Sequence, residues 1–127
     1  MHSTENAFAT TKSKESDVYS YGVVLLELIT RKKVLDPSFT EGTDIVVWAR
    51  SVWSNTQNIA NIVDSGLIEE FFDSDVKDQV NDVFLVALRC TERDPGNRPT
   101  MRDVVKQLVR VTSSYRRKDS EVIEVSD

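Results

Sequence analysis

Histidine, cysteine and glycine are scarce in this sequence, and their scarcity excludes several kinds of site. Cys90 is the only cysteine and His2 the only histidine, so neither an internal disulfide nor a transition-metal site built from several such residues can form. The four glycines are scattered and cannot make the Gly-x-Gly-x-x-Gly loop that cradles phosphates. No apolar run approaches the roughly 20 residues that cross a bilayer, so no membrane span is predicted.

Acidic residues outnumber basic ones, and the formal net charge is -5. A nucleic-acid surface depends on clustered Lys and Arg, so we expect no nucleic-acid partner. The basic run Arg31-Lys32-Lys33 follows an apolar helix pattern, where cations offset the negative end of the helix dipole. A second run, 116–118, is followed at once by acids, so residues 113–127 are predicted to form a polar, acidic, disordered tail. The N-terminus lacks the pattern of a secretory signal, and we expect a cytoplasmic chain as written.

Apolar residues at helical spacing predict a first helix from Ser16 to Thr30, with Ser16 or Asp17 as its cap. This pattern is apolar around most of its circumference, so the helix should be buried on most sides. Gly22 lies inside it at a cost of about 1 kcal/mol relative to Ala. A close approach by another backbone is the expected reason for that glycine.

Three more helices follow the same reasoning. The second begins after a cap at Thr43-Asp44, the third covers residues 76–93, and the fourth starts at a capping box and covers 100–112. Weak periodicity in 59–75 predicts short helical turns joined by loop. Since no strand pattern is convincing, the predicted fold class is all-α, with four main helices and long loops.

Several stretches resemble protein kinases. Residues 16–28, Ser-Asp-Val-Tyr-Ser-Tyr-Gly-Val-Val-Leu-Leu-Glu-Leu, resemble the buried helix after the activation segment, while Ala-Leu-Arg-Cys-Thr at 87–91 and the residues 94–101 resemble the last two helices of that fold. With Trp-Ala-Arg at 48–50, these motifs are similar to plant receptor-like serine/threonine kinases, in the leucine-rich-repeat receptor branch. The resemblance implies that residues 1–112 are a partial kinase domain, the C-terminal helical subdomain of the large lobe.

The resemblance also implies structural roles for four residues. Asp17 matches an aspartate that accepts hydrogen bonds from the backbone of the catalytic loop, and Gly22 belongs to the same buried-helix motif. Arg98 matches the arginine that pairs with the glutamate of the Ala-Pro-Glu motif. That glutamate corresponds to Glu5, although Ser3-Thr4 replace Ala-Pro. We therefore expect Arg98 to pair with Glu5, and Asp17 to be open to solvent or bonded to its own helix start.

The groups that transfer phosphate in this fold are not found in the sequence. They are a Gly-rich loop, a strand lysine paired with a helix glutamate, the catalytic-loop Asp and Asn, and the Asp-Phe-Gly motif. We expect a truncated segment that is incompetent as a kinase alone and needs no cofactor, whereas the parent family uses ATP and Mg²⁺. The resemblance implies that the parent is a plasma-membrane receptor with a cytosolic kinase domain and a role in signalling.

An alternative enzyme class rests on the first helix and the loop after it. Ser20-Tyr21-Gly22-Val23-Val24, with Lys33 and Asp36, is similar to a degenerate pattern proposed for guanylate cyclase centres in plant receptor kinases. By that analogy Ser20 bonds guanine, Gly22 shapes the pocket, Lys33 holds the triphosphate and Asp36 holds Mg²⁺ or Mn²⁺ with GTP. Each residue also has an ordinary structural role, as core helix, close-packed glycine, helix-end cation or loop acid, and that interpretation is favoured.

A third hypothesis is a non-catalytic interaction module. The exposed part of the apolar first helix, or the second helix, would contact protein partners, and the chain would compete with a full-length receptor kinase. Exposed apolar surface of this kind promotes association.

Overall fold

The computed structural model describes residues 13–71 and 74–126, and in these ranges the chain contains α-helices and short 3-10 turns without a β-strand. The helices are α1 (Lys14–Thr30), α2 (Ile45–Thr56), α3 (Ser65–Phe71), α4 (Ser74–Cys90) and α5 (Met101–Ser126), with 3-10 turns at Ile59–Asn61 and Pro95–Asn97. The all-α prediction with four main helices is confirmed. The seven-residue α3 lies in the stretch where short helical turns were predicted.

Side chains cap three of these helices. The Ser13 hydroxyl accepts a hydrogen bond from the Ser16 amide at 3.0 Å, so α1 begins before the predicted cap at Ser16 or Asp17. That prediction was wrong because Ser13 places a hydroxyl one turn earlier and leaves acidic residues in the first turn, where the helix dipole favours them. Asp44 caps α2 through the Val47 amide at 3.0 Å, and Thr100 caps α5 through the Asp103 amide at 3.1 Å, both as predicted.

Helix α5 is longer than its apolar periodicity indicates. The sequence predicted an end near Thr112, whereas the backbone stays helical to Ser126. No glycine or proline interrupts residues 101–126, and the Arg, Lys and Glu residues of this stretch are good helix formers. The predicted helix end at Thr112 was therefore wrong, because a stretch of polar residues can remain helical although it has no apolar stripe. The division into a kinase part, 1–112, and a separate tail, 113–127, stays a prediction.

The core lies where α1 packs against α4, with α2 against α1 and α5 against α4. Burial of aliphatic side chains from all four long helices supplies the main favourable term of folding, at about 25 cal/mol per Å² of apolar surface. The buried apolar residues are Val18, Leu25, Leu26, Ile45, Val46, Ala49, Ile59, Ile62, Val63, Phe84, Val86, Ala87, Cys90 and Val104. Within the described ranges, no helix is both long and apolar enough to span a bilayer.

Both tryptophans pack against other aromatic rings. The Trp53 ring lies 5.3 Å from the Phe84 ring, and the Trp48 ring lies 5.5 Å from the Phe39 ring, each pair in a tilted arrangement. Such pairs add about 0.5 to 1.5 kcal/mol to the free energy of burial. Trp53 therefore joins α2 to α4, while Trp48 holds the connection between α1 and α2.

Candidate functional site

Gly22 lies at the closest contact between α1 and α4. A Cβ built on Gly22 would be 2.6 Å from the Cys90 Cβ, 2.8 Å from the Thr91 Cγ2 and 3.1 Å from the Ala87 carbonyl oxygen. Distances below 3.0 Å are too short for carbon atoms, and Cys90 Cβ is fixed to the α4 backbone. The absence of a side chain at Gly22 therefore allows the two helices to approach this closely.

Arg98 joins the start of α1 to the connection between α4 and α5. Its Nε donates to the Glu92 carbonyl at 2.8 Å, Nη1 to the Glu15 carbonyl at 2.9 Å and Nη2 to the Arg93 carbonyl at 3.4 Å. The guanidinium also lies 4.8 Å from the centre of the Tyr19 ring, in reach of a cation–π interaction. Arg98 thus links segments 83 positions apart in sequence. The predicted pair with Glu5 lies outside the described residues.

Asp17 lies in the first turn of α1, near Arg98. Its backbone amide donates to the Ser13 carbonyl at 3.1 Å, and the residue is exposed. Asp17 also lines an open groove of about 840 Å³ between the starts of α1 and α5, together with Arg98 and Met101. A carboxylate in this position interacts favourably with the dipole of α1, and it is open to contact from other groups.

Arg50 is a contact residue to which the sequence analysis gave no role. From α2 its Nη2 donates to the Leu88 carbonyl and lies 3.4 Å from the Thr91 hydroxyl, while Nη1 lies 3.4 Å from the Glu92 carboxylate. These contacts fasten α2 to the end of α4. Its position gave a weak signal, because Arg50 lies four residues after the apolar Val46 and shares its side of the helix, but the sequence indicates no partner for it.

The cyclase-like residues are spread along α1 and the loop that follows it. Ser20 is exposed and Gly22 is buried, and two positions apart they lie on nearly opposite sides of the helix. Thr30, the last residue of the helix, lies about 15 Å beyond Ser20 along the axis, and Lys33 and Asp36 follow in the loop. The structure thus places Lys33 and Asp36 in one loop, and Ser20 and Gly22 on different sides of α1.

Asp36 is held by its own loop. Its Oδ1 accepts hydrogen bonds from the Ser38 amide at 2.9 Å and the Ser38 hydroxyl at 2.6 Å. Those bonds favour the ionised carboxylate and lower its pKa below the usual value. Among the described residues, no group of three or more His, Cys, Asp or Glu side chains could hold a metal ion. Metal binding by Asp36 stays a prediction of the cyclase analogy.

Cys90 is buried at the end of α4, in the contact with Gly22. Burial disfavours the thiolate and raises the pKa of the Cys90 thiol to about 11. The thiol is therefore protonated at neutral pH. A protonated, enclosed thiol is a poor nucleophile, so Cys90 contributes packing rather than reactivity.

Comparison with known proteins gives the family of this chain. Residues 2–108 match the family model for protein tyrosine and serine/threonine kinases. The chain is 65% identical over 106 residues to a receptor-like protein kinase of Ipomoea nil, and 55% identical over 109 residues to the leucine-rich repeat receptor-like protein kinase PEPR1 of Arabidopsis thaliana. It is 52% identical over 116 residues to PEPR2 of Arabidopsis thaliana.

These alignments cover 84%, 82% and 88% of the chain but only 10%, 10% and 11% of the three relatives. The chain therefore spans about a tenth of their length. Gly22, Arg50 and Arg98, which join the helices, lie within the matched residues. The matched residues, the all-helical fold and these contacts agree with the C-terminal helices of a kinase large lobe. The chain belongs to the protein tyrosine and serine/threonine kinase family, and it matches the C-terminal part of the kinase domain in plant receptor-like members.

Proposed function

We propose that these residues act as a helical scaffold in the large lobe of a receptor-like serine/threonine kinase and do not transfer phosphate by themselves. One observation carries this proposal: the kinase-like motif residues with described contacts face other helices rather than an enclosed pocket. Gly22 packs closely against α4, and Arg98 donates hydrogen bonds to three carbonyl groups where α1 meets the connection between α4 and α5.

Chemistry supports the same conclusion. Phosphoryl transfer in this fold depends on groups that hold Mg-ATP and orient the attacking hydroxyl. The 127 residues contain neither His-Arg-Asp nor Asp-Phe-Gly, and they contain no Gly-rich loop. The activity of the whole kinase, transfer of phosphate from ATP to Ser or Thr, thus depends on residues outside this sequence. A signalling role is proposed on the names of the relatives, which are receptor-like protein kinases, and a location of this part on the cytosolic side of the plasma membrane is proposed on the family resemblance.

The scaffold holds α1 in a fixed position. Gly22 sets the distance between α1 and α4, and Arg98 fixes the first turn of α1. Asp17 is then presented at the edge of the open groove, where its carboxylate is available to backbone amides of a catalytic loop. This chain would thus contribute to catalysis by positioning, through contacts that need no cofactor of their own.

A phosphotransfer assay tests the proposal. The purified chain is incubated with radiolabelled ATP, Mg²⁺ and a general Ser/Thr substrate protein, with a complete receptor-like kinase domain as the positive control. We expect no labelling above the buffer control. Labelling that co-purifies with the chain through two further columns would contradict the proposal.

The cyclase alternative keeps one favourable observation, since Lys33 is exposed in the same loop as Asp36, whose hydrogen bonds to Ser38 lower its pKa. An assay for cyclic GMP with Mn-GTP compares the wild type with Lys33→Ala, and Lys77→Ala serves as a matched control because Lys77 is an exposed lysine of α4. Cyclic GMP formation lost in Lys33→Ala and kept in Lys77→Ala would favour the cyclase. We expect no cyclic GMP from any of the three chains.

A further inference from the structure

The loop between α1 and α2 brings a carboxylate and an ammonium group to one serine hydroxyl. Ser38 is exposed, and its hydroxyl donates a hydrogen bond to Asp36 Oδ1 at 2.6 Å. The Lys32 ammonium lies 3.4 Å from the same hydroxyl oxygen. The Ser38 oxygen thus lies between a negative and a positive side chain on the surface of the loop.

Aromatic rings hold the Lys32 ammonium in this position. It lies 5.4 Å from the centre of the Trp48 ring and 5.8 Å from that of the Phe39 ring, within the range of cation–π attraction. The ion pairs among the described side chains involve Arg31 and Arg50, so no described carboxylate lies within 4.0 Å of this ammonium. A cation that is held in place and has no such partner can bind an anion at a low entropy cost.

Ser38 differs from the other hydroxyl groups with similar contacts. The Thr91 hydroxyl lies 3.4 Å from Arg50 Nη2, but Thr91 is 1% exposed and out of reach of an enzyme. The hydroxyls of Thr40 and Thr43, in the same loop as Ser38, lie 3.3 Å from each other. Among the described side chains, Ser38 is therefore the exposed hydroxyl that has a cation within hydrogen-bond distance.

We propose that Ser38 is a phosphorylation site and that its phosphate forms an ion pair with Lys32. Phosphoserine carries a charge of about -1.5 to -2 and three strong acceptor oxygens. It has lost the proton that the Ser38 hydroxyl gives to Asp36, and the two anions repel each other. The modification thus exchanges the hydrogen bond with Asp36 for an ion pair with Lys32. This inference is independent of the proposed function.

The reaction needs a protein serine/threonine kinase with Mg-ATP. The Ser38 oxygen forms a bond to the γ-phosphorus, the bond from that phosphorus to the oxygen of the β-phosphate breaks, and ADP leaves with the electron pair. The hydroxyl proton passes to a carboxylate of the kinase. The bonds that the Ser38 amide and hydroxyl donate to Asp36 are exposed, so the loop can open locally at low cost when the kinase binds it.

Tandem mass spectrometry tests the modification itself. The full chain is incubated with Mg-ATP and a complete receptor-like serine/threonine kinase domain, and the phosphorylated positions are then mapped. We expect phosphate on Ser38, lost in Ser38→Ala and kept in the matched control Ser51→Ala, which removes an exposed serine of α2. Absence of phosphate on Ser38 in the wild type would overturn the proposal.

Phosphorus NMR tests the ion pair without any kinase. The full chain is made with phosphoserine incorporated at position 38, and the pKa of its phosphate is measured by titration in the otherwise unchanged chain, in Lys32→Met and in Lys33→Met. Since a neighbouring cation favours the dianion, Lys32→Met should raise the phosphate pKa by about 0.3 or more. Lys33→Met, which removes an exposed lysine of the same loop, should raise it by less than half as much. Circular dichroism checks that both variants are folded. Equal shifts in the two variants would overturn the pairing with Lys32.

Discussion

The two sides of α1 differ in burial although both are apolar. On the inner side Val18 is 2% exposed and Leu26 is fully buried, whereas on the outer side Val24 is 47% exposed and Leu28 is 68% exposed. Helix α4 covers the inner side, where Gly22 permits close contact. An apolar surface around a helix therefore indicates how much of that helix tends to be buried. In the described part of the chain, other helices bury only one side of α1.

The largest difference should come from two adjacent residues of α1 that differ in burial. Leu25 is 9% exposed and Val24 is 47% exposed. Leu25→Ala leaves a cavity in the core and should lower the free energy of unfolding by about 2 to 4 kcal/mol. Val24→Ala should change it by less than about 0.5 kcal/mol. Urea denaturation followed by circular dichroism measures both values, and equal losses in the two variants would show that the sides are not distinct.

Gly22→Ala tests the close contact itself. The added Cβ would overlap Cys90 and Thr91, and overpacking costs typically 1 to 3 kcal/mol, partly offset by the better helix propensity of Ala. We expect a net loss of about 1 to 2 kcal/mol in the same denaturation experiment. Gly66→Ala is the matched control, because its nearest neighbour is the movable Asp64 side chain. A Gly22→Ala chain as stable as Gly66→Ala would contradict the packing described for α1 and α4.

Arg98→Ala and Asp17→Asn compare a residue that contacts the start of α1 from the connection between α4 and α5 with a residue in the first turn of α1. Arg98 donates to three carbonyls, and charged hydrogen bonds are worth about 1.5 to 3 kcal/mol when buried, less for this partly exposed group. We expect Arg98→Ala to lose about 1.5 kcal/mol of unfolding free energy. Asp17→Asn, an exposed change near a helix N-terminus, should lose about 0.5 kcal/mol or less. The reverse order in thermal melts would rule out the anchoring role of Arg98.

The Cys90→Ala variant should change the free energy of unfolding least at neutral pH. At alkaline pH it should change the pH dependence of that free energy. The folded pKa of the Cys90 thiol, about 11, lies above the ordinary value of 9.0. The folded state thus binds the proton more tightly, so stability from this group is fully present below pH 9 and is lost as pH rises from 9 through 11. Cys90→Ala removes this loss, which denaturation at a series of alkaline pH values detects. Identical pH dependence in both chains would contradict the enclosed thiol.

Much of the fold could be predicted because local chemistry determined it. Asp44 and Thr100 combine a capping side chain with a following apolar pattern, and Gly22 interrupts an otherwise apolar helix. The start at Ser13 and the extension of α5 to Ser126 could not be predicted from apolar periodicity, because a hydroxyl cap and a polar helix lie outside any apolar stripe.

Less of the candidate site than of the fold could be predicted from the sequence. Arg98 was identified through the resemblance, but its bonds to Glu15 and Glu92 join distant segments that only the tertiary fold brings together. The same reason explains why the contacts of Arg50 were missed. Exposure of Val24 depends on which neighbours a helix has, and a single helix pattern carries no such information.

We propose that Gly22 and Arg98 hold helices together and that this chain binds no nucleotide. Isothermal titration of the folded chain with Mg-ATP and with Mn-GTP measures this most directly, with Lys33→Ala and Lys77→Ala as paired variants. We expect no saturable heat for either nucleotide up to about 1 mM, which corresponds to a binding free energy weaker than about -4 kcal/mol. Saturable binding that Lys33→Ala abolishes and Lys77→Ala preserves would contradict it.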